Sequence, residues 1–122
     1  EVIMIKQYRF GSKEITLEIP GGMSEKGEDP KSAVIREMQE ETGYTSNQVK
    51  EIGSVSPNPA LMGNQVITYL ALDVEKTSEQ NLDTMEDIEV VKVKLDEVNK
   101  LIMNKTIDHA LVICAFYFYN NQ

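Results

Sequence analysis

Asp29-Pro30 and Gly43 bracket a run of residues that is best satisfied as a short helix with two unlike faces. The Asp side chain accepts from an amide left open in the first turn, proline there loses no needed donor, and glycine takes the left-handed stop. The helix is therefore predicted from Asp29-Pro30 to about Thr42. Residues three and four apart share a face, so Glu37, Glu40 and Glu41 project from one arc about 100° wide, while Val34, Ile35 and Met38 occupy another that can meet a core. Glu40 and Glu41 also fall in the last turn, where the helix dipole favours cations and each anion costs roughly 0.3 to 1 kcal/mol. Stability alone does not select that arrangement. Clustered carboxylates are what a hard, oxygen-seeking divalent ion requires, whereas the bland alternative is a solvated acidic face.

Around this helix the chain reads as alternating strands and turns. Val2 to Arg9 and the stretch Ile15, Leu17, Ile19 flank Gly11-Ser12, the pattern of a β-hairpin. Pro20-Gly21-Gly22 ends the second strand, and a polar loop runs on to Asp29. Strands are expected over Val49–Val55, Val66–Val74 and Ile88–Leu95, separated by the turn-rich loop that begins at Ser56-Pro57-Asn58-Pro59 and by a polar loop from Glu75 to Met85. Asp96 to Met103 reads as a short helix. A last helix, Thr106 to about Tyr119, places Ile107, Ala110, Leu111, Cys114 and Phe118 on one stripe, which we read as core. No internal repeat is present. The order of elements gives an α/β (α+β) class with a mixed β-sheet covered by α-helices, and 122 residues suit one domain spanning 1–122.

Composition narrows the partners. A net charge of −8 argues against a nucleic-acid polymer or an anionic membrane as partner, since both need clustered Lys and Arg. A small phosphate-bearing substrate stays open provided a divalent cation stands between the two sets of negative charge. No apolar run is long enough to cross a bilayer and no signal-type segment opens the chain, so a cytoplasmic protein is expected. The single cysteine, Cys114, agrees with a reducing compartment. His109 reads as a surface residue on the polar side of the last helix.

The spacing of Gly22, five residues, Glu28, seven residues, then Arg36-Glu37-Met38-Gln39-Glu40-Glu41-Thr42-Gly43-Tyr44 resembles the Nudix box at every fixed position. At ordinary residue usage, a chance match is roughly 10⁻⁸ per starting position. The preceding Leu17-Glu18-Ile19-Pro20-Gly21-Gly22 resembles the strand that enters the box in that family. The resemblance implies the Nudix fold, a mixed sheet sandwiched between helices, and a hydrolase that cuts a diphosphate linkage. It implies Mg²⁺, with Mn²⁺ as the alternative ion, held by Glu37 and Glu41 with Glu40 beside them and the Gly21 carbonyl as a further ligand. Glu28, Arg36 and Glu18 are then supporting residues, Arg36 pairing with a box carboxylate to hold its rotamer.

Outside the box, Gln7-Tyr8-Arg9 resembles a strand of ADP-ribose pyrophosphatases and related nucleotide-sugar hydrolases, which implies that Arg9 contacts the substrate diphosphate. Pro59, 16 residues beyond Gly43, and Met62 lie in a stretch similar to the substrate loop of that branch. Met85-Glu86-Asp87-Ile88-Glu89 resembles the segment that carries a catalytic glutamate, which nominates Glu86, with Asp83 as a second candidate. The chain departs from the fullest pattern at Thr84, where a glutamate is usual. ADP-ribose pyrophosphatases carry extra N-terminal strands that build a homodimer, whereas this sequence opens directly in a strand, as a shorter relative or as part of a longer protein. Two other readings stay open: a nucleoside-triphosphate pyrophosphohydrolase, and a non-catalytic nucleotide-binding Nudix module. Calcium storage lacks an EF-hand loop.

Overall fold

A computed structural model describes all 122 residues. The opening hairpin forms as the alternation requires, with β1 (Val2–Arg9) antiparallel to β2 (Glu14–Glu18). On its other edge β1 pairs antiparallel with β7 (Ile88–Val93), giving the order β2-β1-β7. A second ladder joins β4 (Gln48–Val55) to β5 (Val66–Leu72), and two short strands, β3 (Tyr44–Thr45) and β6 (Glu75–Lys76), pair where a loop was expected from Glu75 onward. Every ladder is antiparallel. The α+β class stands, but the parallel pairing that a mixed sheet requires is not among these ladders. Two of them, β1-β2 and β4-β5, join consecutive strands through loops that turn the chain straight back.

Helix α1 (Pro30–Thr42) has the ends anticipated from the residues. Asp29 accepts from the Ser32 amide at 3.1 Å, and Gly43 stops the helix at φ 78° while its N–H donates to the Gln39 carbonyl. A side chain at Gly43 is excluded twice over, because its Cβ would lie 2.1 Å from the Ser78 carbonyl oxygen. A short 3-10 turn, Leu95–Glu97, leads into α2 (Val98–Met103), and the chain closes with α3 (Ala110–Asn120).

The core sits between the first sheet and the two C-terminal helices, where Met4 and Leu17 pack with Val98, Ile107, Val112 and Phe116. Ile5, its neighbour on β1, is also buried, so both faces of that strand are covered. Helix α3 corrects the stripe expected from the sequence. It begins later than Thr106, Ala110 is exposed, and the buried residues are Val112, Ala115 and Phe116, with Leu111, Cys114 and Phe118 half-buried. The helix is apolar almost all round, so its periodicity does not say which side faces inward. Phe118 lies over Gly53, beside a bulge in β4, where any Cβ would meet its ring.

The apolar arc of α1 turns toward β4, β5 and α3. Val34, Ile35 and Met38 line a cavity of about 430 Å³ with Ile52, Leu70 and Phe116. The three box glutamates are not among its lining residues, so this cavity and the acidic site occupy different sides of the helix.

Candidate active site

Helical geometry explains how differently the three glutamates are treated. At 3.6 residues per turn Glu41 lies only about 20° from the direction of Val34, at the border of the apolar arc, whereas Glu40 lies about 120° from it. Glu41 is accordingly buried, with 5% of its surface exposed, while Glu37 and Glu40 are half-buried.

Arg36 gathers one half of the acidic surface. Its Nε and Nη2 donate to the two oxygens of Glu28 at 2.8 and 3.0 Å, and its Nη1 reaches Glu37 at 3.1 Å and Glu40 at 3.2 Å. The fork of the guanidinium makes the double contact to Glu28 possible. Those bonds, with one from the Glu25 amide, hold the Glu28 carboxyl down at about 2. The same pairing raises the Arg36 pKa.

Glu41 has no such partner. Its Oε2 accepts from the Gly21 N–H at 3.2 Å, and no cation is paired with it. Burial pushes its pKa up to about 8, the Gly21 amide pulls the other way, and the charges of Glu37 and Glu86 push it further up. Burial also raises Glu37, against Arg36, with Glu40 and Glu86 adding repulsion. Glu37 packs directly under Gly22, where a Cβ would fall 2.3 Å from its carboxyl carbon. The glycine of the box thus gives room to a carboxylate. The Gly21 amide is directed to Glu41, which ties the backbone that was expected to supply a carbonyl ligand to this carboxylate.

A second network lies on the hairpin. Arg9, Thr16 and Glu18 sit at even offsets across β1 and β2 and share a face. Arg9 donates to both oxygens of Glu18, at 2.7 Å from Nε and 2.6 Å from Nη2, and the Thr16 hydroxyl also donates to that carboxylate. Glu18 is only 3% exposed. Burial drives its pKa up, but the bonds from Arg9 and Thr16 outweigh it, so the group is held below the ordinary value and remains charged. Arg9 is raised by the same bond, and its field reaches Glu41, which brings the hairpin to the box.

His109 stands in this network rather than on the polar side of a helix. It is the residue that caps α3: Nδ1 accepts from the Leu111 N–H at 3.2 Å, and Nε2 lies 3.8 Å from Glu18. The placement within the last helix expected from the sequence is corrected, because α3 starts after His109, whose side chain stays partly exposed.

The loop between β6 and β7 carries the two downstream acids. Glu86 is half-buried and its charge is felt at Glu37 and Glu41, whereas Asp83 is exposed and its amide donates to Glu86 at 2.9 Å. Glu86 is thus close enough for its charge to act on two of the box glutamates. Pro59 and Met62 lie on the exposed loop between β4 and β5, which turns through bonds from the Leu61 and Met62 amides to the Asn58 carbonyl. No hydrogen bond or ion pair ties that loop to Glu37, Glu40 or Glu41. One residue not singled out in the sequence, Gln80, joins the end of α1 to β7. Its side-chain amide donates to the Glu41 and Ile88 carbonyls at 2.7 and 2.9 Å. A glutamine in a polar loop carries no local signal of such a role.

No three acidic side chains stand close enough together to form a ready metal cage, because Arg36 holds Glu37 and Glu40 while Glu41 rests on Gly21. The donor set still fits a hard divalent ion by its chemistry. It offers mainly carboxylate oxygens, and Glu41, buried without a cation partner and pushed up to about 8, is the group whose ionised form an added cation would favour.

The comparisons with known proteins fit this geometry. The chain is 33% identical over 119 residues to an ADP-ribose pyrophosphatase of Bacillus subtilis, an alignment covering 97% of this chain and 64% of that protein. It is 34% identical over 123 residues to a methanol dehydrogenase activator of Bacillus methanolicus, covering 100% of this chain and 66% of the relative. The chain thus spans slightly less than two thirds of the length of either relative. The fold also matches the crystal structure of an ADP compounds hydrolase with a TM-score of 0.88 at 23% identity, over 98% of this chain and 64% of that one. The model of the NUDIX domain matches residues 1–116, and with the complete box running through the loop before α1 and along the helix this makes the chain a member of the Nudix family.

Proposed function

We propose that this chain hydrolyses the diphosphate bond of a nucleoside diphosphate linked to another moiety, ADP-ribose or a nucleotide sugar, with Mg²⁺ as cofactor. The products are a nucleoside monophosphate and a sugar phosphate. The observation that carries this reading is Glu41, a buried carboxylate with no cation partner, within reach of the charges of Glu37, Glu86 and Arg9. The ADP-ribose pyrophosphatase relative supports the substrate class.

In this reading Glu37 and Glu41, with Glu40 and the Gly21 carbonyl, would hold the ion. When bound, the ion neutralises diphosphate oxygens and makes water a better nucleophile near neutral pH. Arg36 keeps Glu37 and Glu40 from collapsing outward into solvent, and Glu28 keeps Arg36 in place. Arg9 binds substrate. Its Nε and Nη2 are occupied by Glu18, which leaves Nη1 to donate to a diphosphate oxygen. Glu86 takes the proton from the attacking water, a role for which its inward position suits it better than the exposed Asp83. Pro59 and Met62 are assigned to the nucleoside or sugar end, since their loop offers exposed apolar surface. The free Cys114 fits the cytoplasm, and no helix is long and apolar enough to cross a membrane.

A panel of ADP-ribose, ADP-sugars, GDP-mannose and oxidised dGTP with Mg²⁺, followed by product analysis, tests the proposal. Monophosphate and sugar phosphate are expected from the first group. Turnover of the triphosphate alone, with pyrophosphate released, overturns the substrate assignment, and no turnover of any compound overturns the enzyme.

A further inference from the structure

The C-terminus of α1 needs donors. Its last turn holds no basic residue, and the carbonyls at the end of a helix have no partner within it. The segment after β6 supplies them: the Thr77 and Ser78 amides donate to Gly43, the Asn81 amide to Glu40, and the Gln80 side chain to Glu41. Gln80 differs from the others in reaching further. The same nitrogen donates to the carbonyl of Ile88, the first residue of β7. A primary amide has two N–H groups, so both bonds form at once.

Those two bonds close a loop. One end is fixed to the acidic helix, the other to the start of β7, and Glu86 lies between them in the chain. Within the loop the Glu86 amide donates to the Asp83 carbonyl, and the Asp83 amide donates back to the Glu86 carboxylate. Of residues 83–87 only Glu86 is half-buried, the rest being exposed. The repulsion it exerts on Glu37 and Glu41 agrees with that placement.

We propose that Gln80 is a positioning residue, which clamps the 81–87 loop between α1 and β7 so that Glu86 is held against the box glutamates, and that it affects turnover only through Glu86. This rests on the role given to Glu86 above. A residue that only caps α1 would change stability without any link to Glu86.

The test is a cycle of Gln80→Ala and Glu86→Gln, together with Gln80→Glu, which keeps the length of the side chain and removes its donors. Gln80→Ala and Gln80→Glu are expected to lower kcat about tenfold with KM within about twofold, the low end for residues that orient a metal-site group. In the Glu86→Gln background, Gln80→Ala should change kcat by less than about twofold, because the group it positions is already gone. In metal-free protein, amide exchange over residues 81–87 should quicken about tenfold while the interior of α1 keeps its protection. Independent, multiplicative losses in the double variant overturn the proposal, as does unchanged exchange in that loop. Full turnover by Glu86→Gln overturns it too, and leaves the diphosphate reading standing. If the parent chain turns over no substrate, that reading falls, and the exchange experiment alone decides whether Gln80 clamps the loop. Should Gln80→Ala fail to fold, Gln80→Glu serves in every arm.

Discussion

Arg36 and Glu41 occupy the same helix and meet opposite electrostatic circumstances. Around Arg36, one guanidinium joins Glu28, Glu37 and Glu40, and the Glu28 carboxyl falls to about 2. Around Glu41, burial and two neighbouring carboxylates leave a group near 8 with only a backbone amide for company. The first half of the acidic surface is tied together by one shared cation and can serve as a frame. The second is left short of positive charge, which is the condition under which an added cation binds. The comparison shows that a cluster of glutamates is not one feature: depth and pairing divide it into a support and a site.

The largest effect is expected at Glu41. Glu41→Gln should lower Mg²⁺-dependent turnover by about 100-fold or more, while the melting temperature of the metal-free protein at pH 8 stays level or rises, because a buried charge has been removed. Retained turnover with a large loss of stability would erase the distinction between site and frame. Arg36→Lys comes next. A lysine cannot make the forked contact, so Glu28, Glu37 and Glu40 lose their common anchor, and kcat should fall about 10-fold, with weaker Mg²⁺ binding by calorimetry.

The pH dependence of metal-free stability separates the two halves by sign. Glu28 titrates lower in the folded protein than its ordinary 4.5, so its contribution is present above about pH 4.5 and is lost as pH falls toward 2. Glu41 titrates higher than 4.5, so its contribution is full below about pH 4.5 and is lost as pH rises toward 8. Denaturant melts from pH 2.5 to 9 in chelator should show Glu28→Gln flattening the acid limb and Glu41→Gln flattening the upper one. A single variant flattening both limbs would mean that the halves are coupled. The smallest effect is assigned to Gly22→Ala, whose Cβ would push the flexible end of Glu37 aside. Turnover should drop by less than about tenfold with little change in melting temperature.

Some of this was legible in the residues because it is local. Asp29, Pro30 and Gly43 mark the ends of α1 through hydrogen bonds made within a few positions, and the face shared by Glu37, Glu40 and Glu41 follows from the helical repeat. Other parts were not. The start of α3 and its inward side escaped because an almost wholly apolar helix gives periodicity nothing to distinguish. His109 was misplaced for the same reason, since its capping bond depends on where that helix begins.

What the sequence determined by itself was the box, its helix, and the presence on one arc of three carboxylates that stability alone would not gather. What only the tertiary structure decided was which of them is buried and which is paired. Glu28 reaches Arg36 from the loop before α1, Gly21 reaches Glu41, and Gln80 reaches back to the end of α1 from a strand connection far along the chain. A helical repeat gives the direction of a side chain, but the depth and charge around it come from whatever else folds against that face.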